Sequence, residues 1–244
     1  MQGMIIQRTI QIDGIPLHYS LERKNVKNLN LHVRRDGSVY VSANNAVPEE
    51  KIDDFLISKG NFIRNAQNKF KEQEQHKPLP KQYVSGESFN IQGRALRLKV
   101  TQTNNDKVYS DGVYLFLDVR DPLDFSQKER LIKRFLDRQC KTVFGEIVEA
   151  LYPIFQKYGV APPILRIRNM DTRWGSCLPG KGVITLNKRL LEAPRNCIEY
   201  VVMHEYCHFI HPNHSRHFYD FLSMLMPDWK NRKMLLDESA AYYL

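Results

Sequence analysis

Three histidines and a glutamate near the C-terminal end of the chain have the types and spacing for metal chemistry. They lie in His204-Glu205-Tyr206-Cys207-His208, followed by Phe209-Ile210-His211-Pro212-Asn213-His214. The first five residues read H-E-x-x-H. On a helix, residues four apart lie one above the other, so His204 and His208 can offer two imidazoles to one ion. Glu205 follows the first of them and can lean over the open side of the metal as general base. Zinc suits imidazole, and three protein ligands leave a fourth position for water. The competing account is a chance pattern on a surface helix. The apolar surroundings and the third histidine argue against it.

The third ligand has to be chosen. His211 is seven residues past His204, about 10.5 Å along a helix axis, and reaches a metal between His204 and His208 poorly. His214 lies beyond Pro212-Asn213, where the chain can turn back, and is favoured. Asp220, Glu238, His211 and His217 remain as alternatives. Cys207 faces away from the ligand stripe and reads as core.

Several elements must hold this group. Ile198, Val201, Val202, Phe209 and Ile210 follow helical spacing, Pro194 sits at a helix start, and Pro212 cannot continue one. The spacing predicts a buried helix carrying both ligands and breaking just after His211. Upstream, Ile164 to Ile167 and Val183 to Asn187 read as strands around Asn169 to Cys177 and the turn Leu178-Pro179-Gly180-Lys181-Gly182. This strand pair could offer an edge to an extended peptide. Arg173, Trp174 and Ser176 are candidate substrate contacts. Trp174 reads equally well as a core anchor, and Gly175 as a bulge. Downstream, Ser215 can cap a helix ended by Pro227, and Asp228 can begin a last short one.

The N-terminal part is rich in strands and tight turns. Asp13-Gly14 and Asp36-Gly37 are hairpin signals, because a type I′ turn needs positive φ at both central positions. Pro48-Glu49-Glu50 opens a helix through about residue 75, which Gly60 kinks or divides. Residues 76–80 read as a linker with an exposed His76, and Arg34-Arg35 as a solvated strand end. A second strand group follows, with turns at Gly93-Arg94 and Asp111-Gly112. Ser126-x-x-Glu129 is a capping box opening a long helix that spans Pro153 and stops at Gly159. No long internal repeat is visible. The expected fold class is α+β: a strand-rich region over 1–120 with one long helix (about 48–75), then a compact helical catalytic domain with a small sheet over 121–244.

Composition sets bounds. With 42% hydrophobic and 26% charged residues, the chain has an ordinary globular make-up. The net charge of +9 is shared by both halves. That favours an evenly solvated surface, with a basic face for nucleic acid as the other reading. The four cysteines form no C-x-x-C pair, no secretory leader is evident, and no apolar run approaches a bilayer span. A cytoplasmic chain with reduced thiols and no membrane partner is expected.

These residues carry a resemblance. Thr172-Arg173-Trp174-Gly175-Ser176-Cys177, Ile184-x-Leu186-Asn187, Tyr200-Val201-Val202-x-His204-Glu205-x-x-His208, Asn213-His214-Ser215-x-x-Phe218 and Pro227-Asp228 resemble the YgjP-like family of metal-dependent hydrolases. That family is related to SprT-like and other zincin metallopeptidases. The soft N-terminal matches at Asp36-Gly37 and Ser85-Gly86-Glu87 extend the resemblance over most of the chain. It implies one Zn²⁺ on His204, His208 and His214, with Glu205 catalytic. Tyr206 stands where the family usually has leucine, and Tyr219 where it usually has tryptophan. The ligand spacing equals that of metzincins, but their glycine position is His211 here and no Met-turn is evident.

The reading is therefore a zinc-dependent hydrolase, above all a peptidase acting on peptides or proteins. The rivals are a nucleic-acid-binding module with a structural or vestigial zinc site, and a hydrolase of non-peptide amides. Arg173, Tyr242 and Tyr243 are candidate oxyanion stabilisers.

Overall fold

Two four-stranded sheets of one topology occur in succession along the chain. The computed structural model describes residues 5–34, 36–75 and 80–243; the expectations for Arg35 and residues 76–79 fall outside them. The chain divides into two compact units, Met1–Lys77 and Pro78–Leu244.

The first unit begins with β1 (Ile5–Ile12) and β2 (Ile15–Arg23), an antiparallel hairpin closed at Asp13-Gly14. Both turn residues have positive φ, 52° and 76°, as a type I′ turn requires. Next come β3 (Asn30–Val33) and β4 (Val39–Ala43), and the sheet order is β1-β2-β4-β3. At Asp36-Gly37 the glycine alone has positive φ, so the turn there is of a different type. Two helices follow, α1 (Glu49–Ser58) and α2 (Gly60–Gln75), in place of one long helix. The chain breaks at Lys59. Gly60 lies so close to β1 that a Cβ there would come within 2.7 Å of Ile12 Cγ2. Tyr19, Leu21, Val41, Ile52 and Leu56 form the core of this unit.

The second unit repeats the pattern with β5 (Ser88–Ile91), β6 (Arg94–Gln102), β7 (Lys107–Ser110) and β8 (Tyr114–Val119), in the order β5-β6-β8-β7. In both sheets the pairings run antiparallel, parallel, antiparallel. The first hairpin of this sheet turns at Gln92-Gly93, one residue before the expected position, with φ of 51° and 77°. A repeat of topology is therefore present where none is visible in the sequence.

One face of this sheet packs on α3 (Phe125–Gln156), whose Ile132, Phe135 and Val143 share a core with Leu96, Leu98, Leu115 and Leu117. The expected division after residue 120 falls inside this unit, between a sheet and the helix that covers it. Asp124 caps α3 by accepting from the Gln127 backbone N–H, so Ser126 lies inside the helix. Pro153 also lies inside it, and Gly159, at φ 78°, follows its end.

A third sheet contains β9 (Ile164–Arg168), β10 (Gly175–Leu178) and β11 (Val183–Asn187), in the order β10-β11-β9. Every residue of β11 is buried, and β10 is an edge strand. The chain ends with α4 (Arg195–Cys207), α5 (Arg216–Leu225) and α6 (Trp229–Tyr243). The last is longer than the short helix expected. No helix among the described residues is long and apolar enough to cross a membrane.

Candidate metal centre

Helix α4 is apolar almost all round, with Ile198, Val201, Val202, Met203, Tyr206 and Cys207 buried. That composition places it in the interior of its unit. Its start is pinned by the second sheet. The Gln92 and Gly93 N–H groups donate to the Leu191 and Glu192 carbonyls at 2.7 and 3.1 Å. A Cβ on Gly93 would come within 2.9 Å of Pro194 Cγ. Further along, the Tyr206 hydroxyl donates to the Val148 carbonyl, and its ring stacks on Phe155 at 4.6 Å. The tyrosine thus ties α4 to α3.

The regular helix ends at Cys207, earlier than expected, and tighter turns carry the chain on to His211. His208 keeps helical dihedrals as the C-cap, so the four-residue stacking with His204 survives. The chain then reverses through Pro212-Asn213. Ser215 caps α5 by accepting from the Phe218 N–H at 3.4 Å. This reversal brings His214 back to the other two histidines.

His204, His208 and His214 each offer a ring nitrogen within 4.8 Å of the others. The Nε2 atoms of His204 and His214 are 2.9 Å apart. His208 Nδ1 lies 3.2 Å from the His211 carbonyl oxygen. As an Nδ1–H donor to that carbonyl, the ring keeps Nε2 unprotonated and ready to ligate. His211 therefore contributes through its backbone. Its ring stacks on His217 at 6.4 Å and is not in the cluster. Asp220 is paired with Arg216, and neither it nor Glu238 joins the cluster.

Beneath the histidines lies Phe218, fully buried, its ring 4.8–4.9 Å from all three imidazoles. Tyr219 stacks on Trp229 at 5.4 Å and on His214 at 6.1 Å. Burial, followed by the charges on His208 and His214, holds the His204 pKa down to about 3. His208 is lowered too, chiefly by burial. Both are neutral at pH 7, the form that binds metal. Three converging imidazoles are a donor set that fits a borderline-soft divalent ion.

Glu205 is 5% exposed. Burial raises its pKa to about 8, and the Arg173 cation works against that rise. Gly175 on β10 makes room for it. A Cβ there would sit 2.6 Å from Glu205 Oε1 and 2.9 Å from its Cγ. Gly175 pairs in register with Leu186, so it is a regular strand residue rather than a bulge.

A cavity of about 530 Å³ joins these parts. Arg173, Trp174, Ser176 and Cys177 line one side, and His204, Glu205, His208 and His214 the floor. Trp174 is half-buried; it packs on the core and also lines the cavity. The loop before β10 is anchored by Asn187, which is fully buried. Its Nδ2 donates to the Met170 and Arg173 carbonyls at 2.8 and 3.0 Å. Tyr200, Lys233 and Asp237 line the same cavity and were not foreseen from the sequence. Tyr200 lies four residues before His204, a spacing that marks the ligand face; α6 gave no such signal. The Tyr242 and Tyr243 side chains lie outside those described. All four cysteines are free, and Cys207 is core.

A family model described as YgjP-like, metallopeptidase domain, matches residues 27–239. Among solved structures, the metallopeptidase zymogen jannalysin of Methanocaldococcus jannaschii is similar over 39% of this chain and 88% of that one. Its identity is 18% and its TM-score 0.35. No curated protein matches the chain.

Proposed function

The chain belongs to the YgjP-like metallopeptidase family, and on that premise we propose a zinc-dependent peptidase in which Glu205 is the general base. The observation that carries this reading is the convergence of three imidazoles within 4.8 Å, with Glu205 buried beside them and an edge strand along the same cavity. His204, His208 and His214 hold the ion. When bound, zinc supplies a Lewis acid that polarises a carbonyl and brings the pKa of water toward ~7.

The remaining steps belong to the chain. β10 presents backbone N–H and C=O groups to an extended peptide, which adds as a further strand. Arg173, Trp174 and Ser176 contact that peptide and align its scissile bond. Glu205 takes a proton from the attacking water and returns it to the leaving amine. Burial raises this carboxyl's pKa in the metal-free chain; a divalent cation beside it would favour the ionised form that accepts the proton. A peptide is favoured over other amides because an edge strand recognises backbone repeated along a chain.

The test combines metal content with turnover of a peptide library. The purified protein should carry one zinc per chain by elemental mass spectrometry, and His214→Ala should carry far less. Glu205→Gln should keep its zinc and lose about 10²- to 10⁴-fold in kcat. Zinc loss together with turnover in Glu205→Gln would show that the residue does more than move a proton. A folded protein that takes up no zinc would end the reading.

A further inference from the structure

The second sheet has two faces, and the peptidase reading uses neither. The inner face packs on α3. On the outer face, the pairings align Arg97 with Tyr114 and Lys99 with Phe116 across β6 and β8. They also align Tyr109 with Phe116 and Lys107 with Asp118 across β7 and β8. The Tyr109 and Phe116 rings stack at 4.8 Å with planes 11° apart, and Tyr114 adjoins Phe116 at 6.0 Å. Lys99 Nζ stands 3.4 Å above the Tyr114 ring, and Lys107 Nζ 4.9 Å above Tyr109. Three rings and three cations thus share one face, with Asp118 as the acid opposite Lys107. Tyr109 is 39% exposed.

The first sheet supplies a comparison. Its corresponding pairings place Ser20 beside Tyr40 and His32 beside Tyr40. There Tyr40 donates its hydroxyl to Glu22, and Arg34 and Lys24 lie over its ring at 5.0 and 6.0 Å. One ring stands there against three in the second copy, so the topology does not require a row of rings. Past Tyr109 the positive character continues. A cavity of about 780 Å³ is lined by Tyr109, Arg94, Arg138 and Arg195 and by no acid. Arg195 pairs with Glu146 and Glu199, whereas Arg94 and Arg138 make no ion pair among the described residues.

We propose that the outer face of the β5–β8 sheet is a stacking platform for single-stranded nucleic acid, with the exposed Tyr109 ring receiving a base, Phe116 and Tyr114 backing it, and Arg97, Lys99 and Lys107 meeting phosphates. Bases present flat π faces that stack on aromatic side chains, and the backbone carries one negative charge per nucleotide for the lysines and arginines. A duplex hides its base faces and leaves only the charge term, so single strands bind more tightly. The net charge of +9 has the sign this requires.

The test is fluorescence anisotropy of the full chain with labelled single strands, oligo-dT and oligo-U, of about 12 nucleotides. Binding should be tight at about 50 mM salt and weaken steeply by about 200 mM. Tyr109→Ala should weaken it about 10- to 100-fold, and Lys99→Gln should flatten the salt dependence. Should Tyr109→Ala fold poorly by its melting curve, Lys99→Gln, which leaves every ring in place, decides the matter. No binding at low salt would overturn the proposal, as would unchanged binding in the variant that folds. Equal affinity for a duplex or for a poly-glutamate peptide would make the face a general anion surface and overturn it too. Because the readout is binding, it is independent of zinc and peptide turnover.

Discussion

At the scale of single residues, the centre depends on what is absent at Gly175 as much as on what is present at Glu205. The carboxylate fills the space a β-carbon would take, 2.6 Å from Oε1. Gly175→Ala should displace Glu205 without removing a ligand. Zinc content should stay near that of the parent, while overpacking costs about 1–3 kcal/mol of stability and kcat falls about 10- to 100-fold, the effect of misplacing a reacting group by an ångström. Full activity in that variant would mean that Glu205 tolerates the shift and that the glycine serves another purpose. The histidines make a separate prediction about pH. In the metal-free chain, the His204 pKa of about 3 lies below its ordinary value of 6.5. Folding therefore favours the neutral ring. The resulting stability is fully present above pH 6.5 and is lost as pH falls from there toward 3. Melting curves of the metal-free protein should shift to lower temperature across that window. A flat profile would show that the rings gain water on protonation and escape the burial cost.

At the scale of elements, α4 is fixed at its start by a hairpin tip and at its end by a chain reversal. The tip needs Gly93 for two reasons: its φ is 77°, and Pro194 leaves no space for a side chain. Gly93→Ala should cost roughly 1–2 kcal/mol for the left-handed backbone alone, with the contact on Pro194 adding to it. In a unit of this size that lowers the melting temperature by roughly 2–8 °C. An unchanged melting curve would mean that the tip does not support the helix. The reversal at Pro212-Asn213 and the Ser215 cap decide where α5 begins. With α5 so placed, Phe218 lies under the three imidazoles and limits their freedom.

At the scale of the whole molecule, one β-sheet topology is used twice, each time with its own hydrophobic core. The cluster around Tyr19 and Ile52 is distinct from the one that holds α3 and α4. Residues 78–244 contain every element that touches the metal centre. They should fold cooperatively alone and take up zinc as the full chain does, as measured by calorimetry and elemental analysis. Aggregation or loss of zinc in that segment would show that the first unit is needed to complete the second. The family match over 27–239 reaches into both units.

Local chemistry was legible in the sequence. The pairing of His204 with His208 followed from the four-residue period of a helix, and the approach of His214 from the length of axis that His211 would have to span. The Asp13-Gly14 turn followed from its need for positive φ, and the α+β class from the order of strands and helices. These are properties of neighbours along the chain. What lay beyond them depended on residues distant in sequence. The role of Gly175 is set by a carboxylate 30 positions away, that of Gly93 by Pro194, and that of Phe218 by three rings meeting above it. The duplication was hidden because a sheet preserves only the alternation of buried and exposed positions, which many side chains satisfy. The aromatic and basic ladder of the second sheet became visible only once strand order and register set Lys99, Tyr109, Tyr114 and Phe116 side by side.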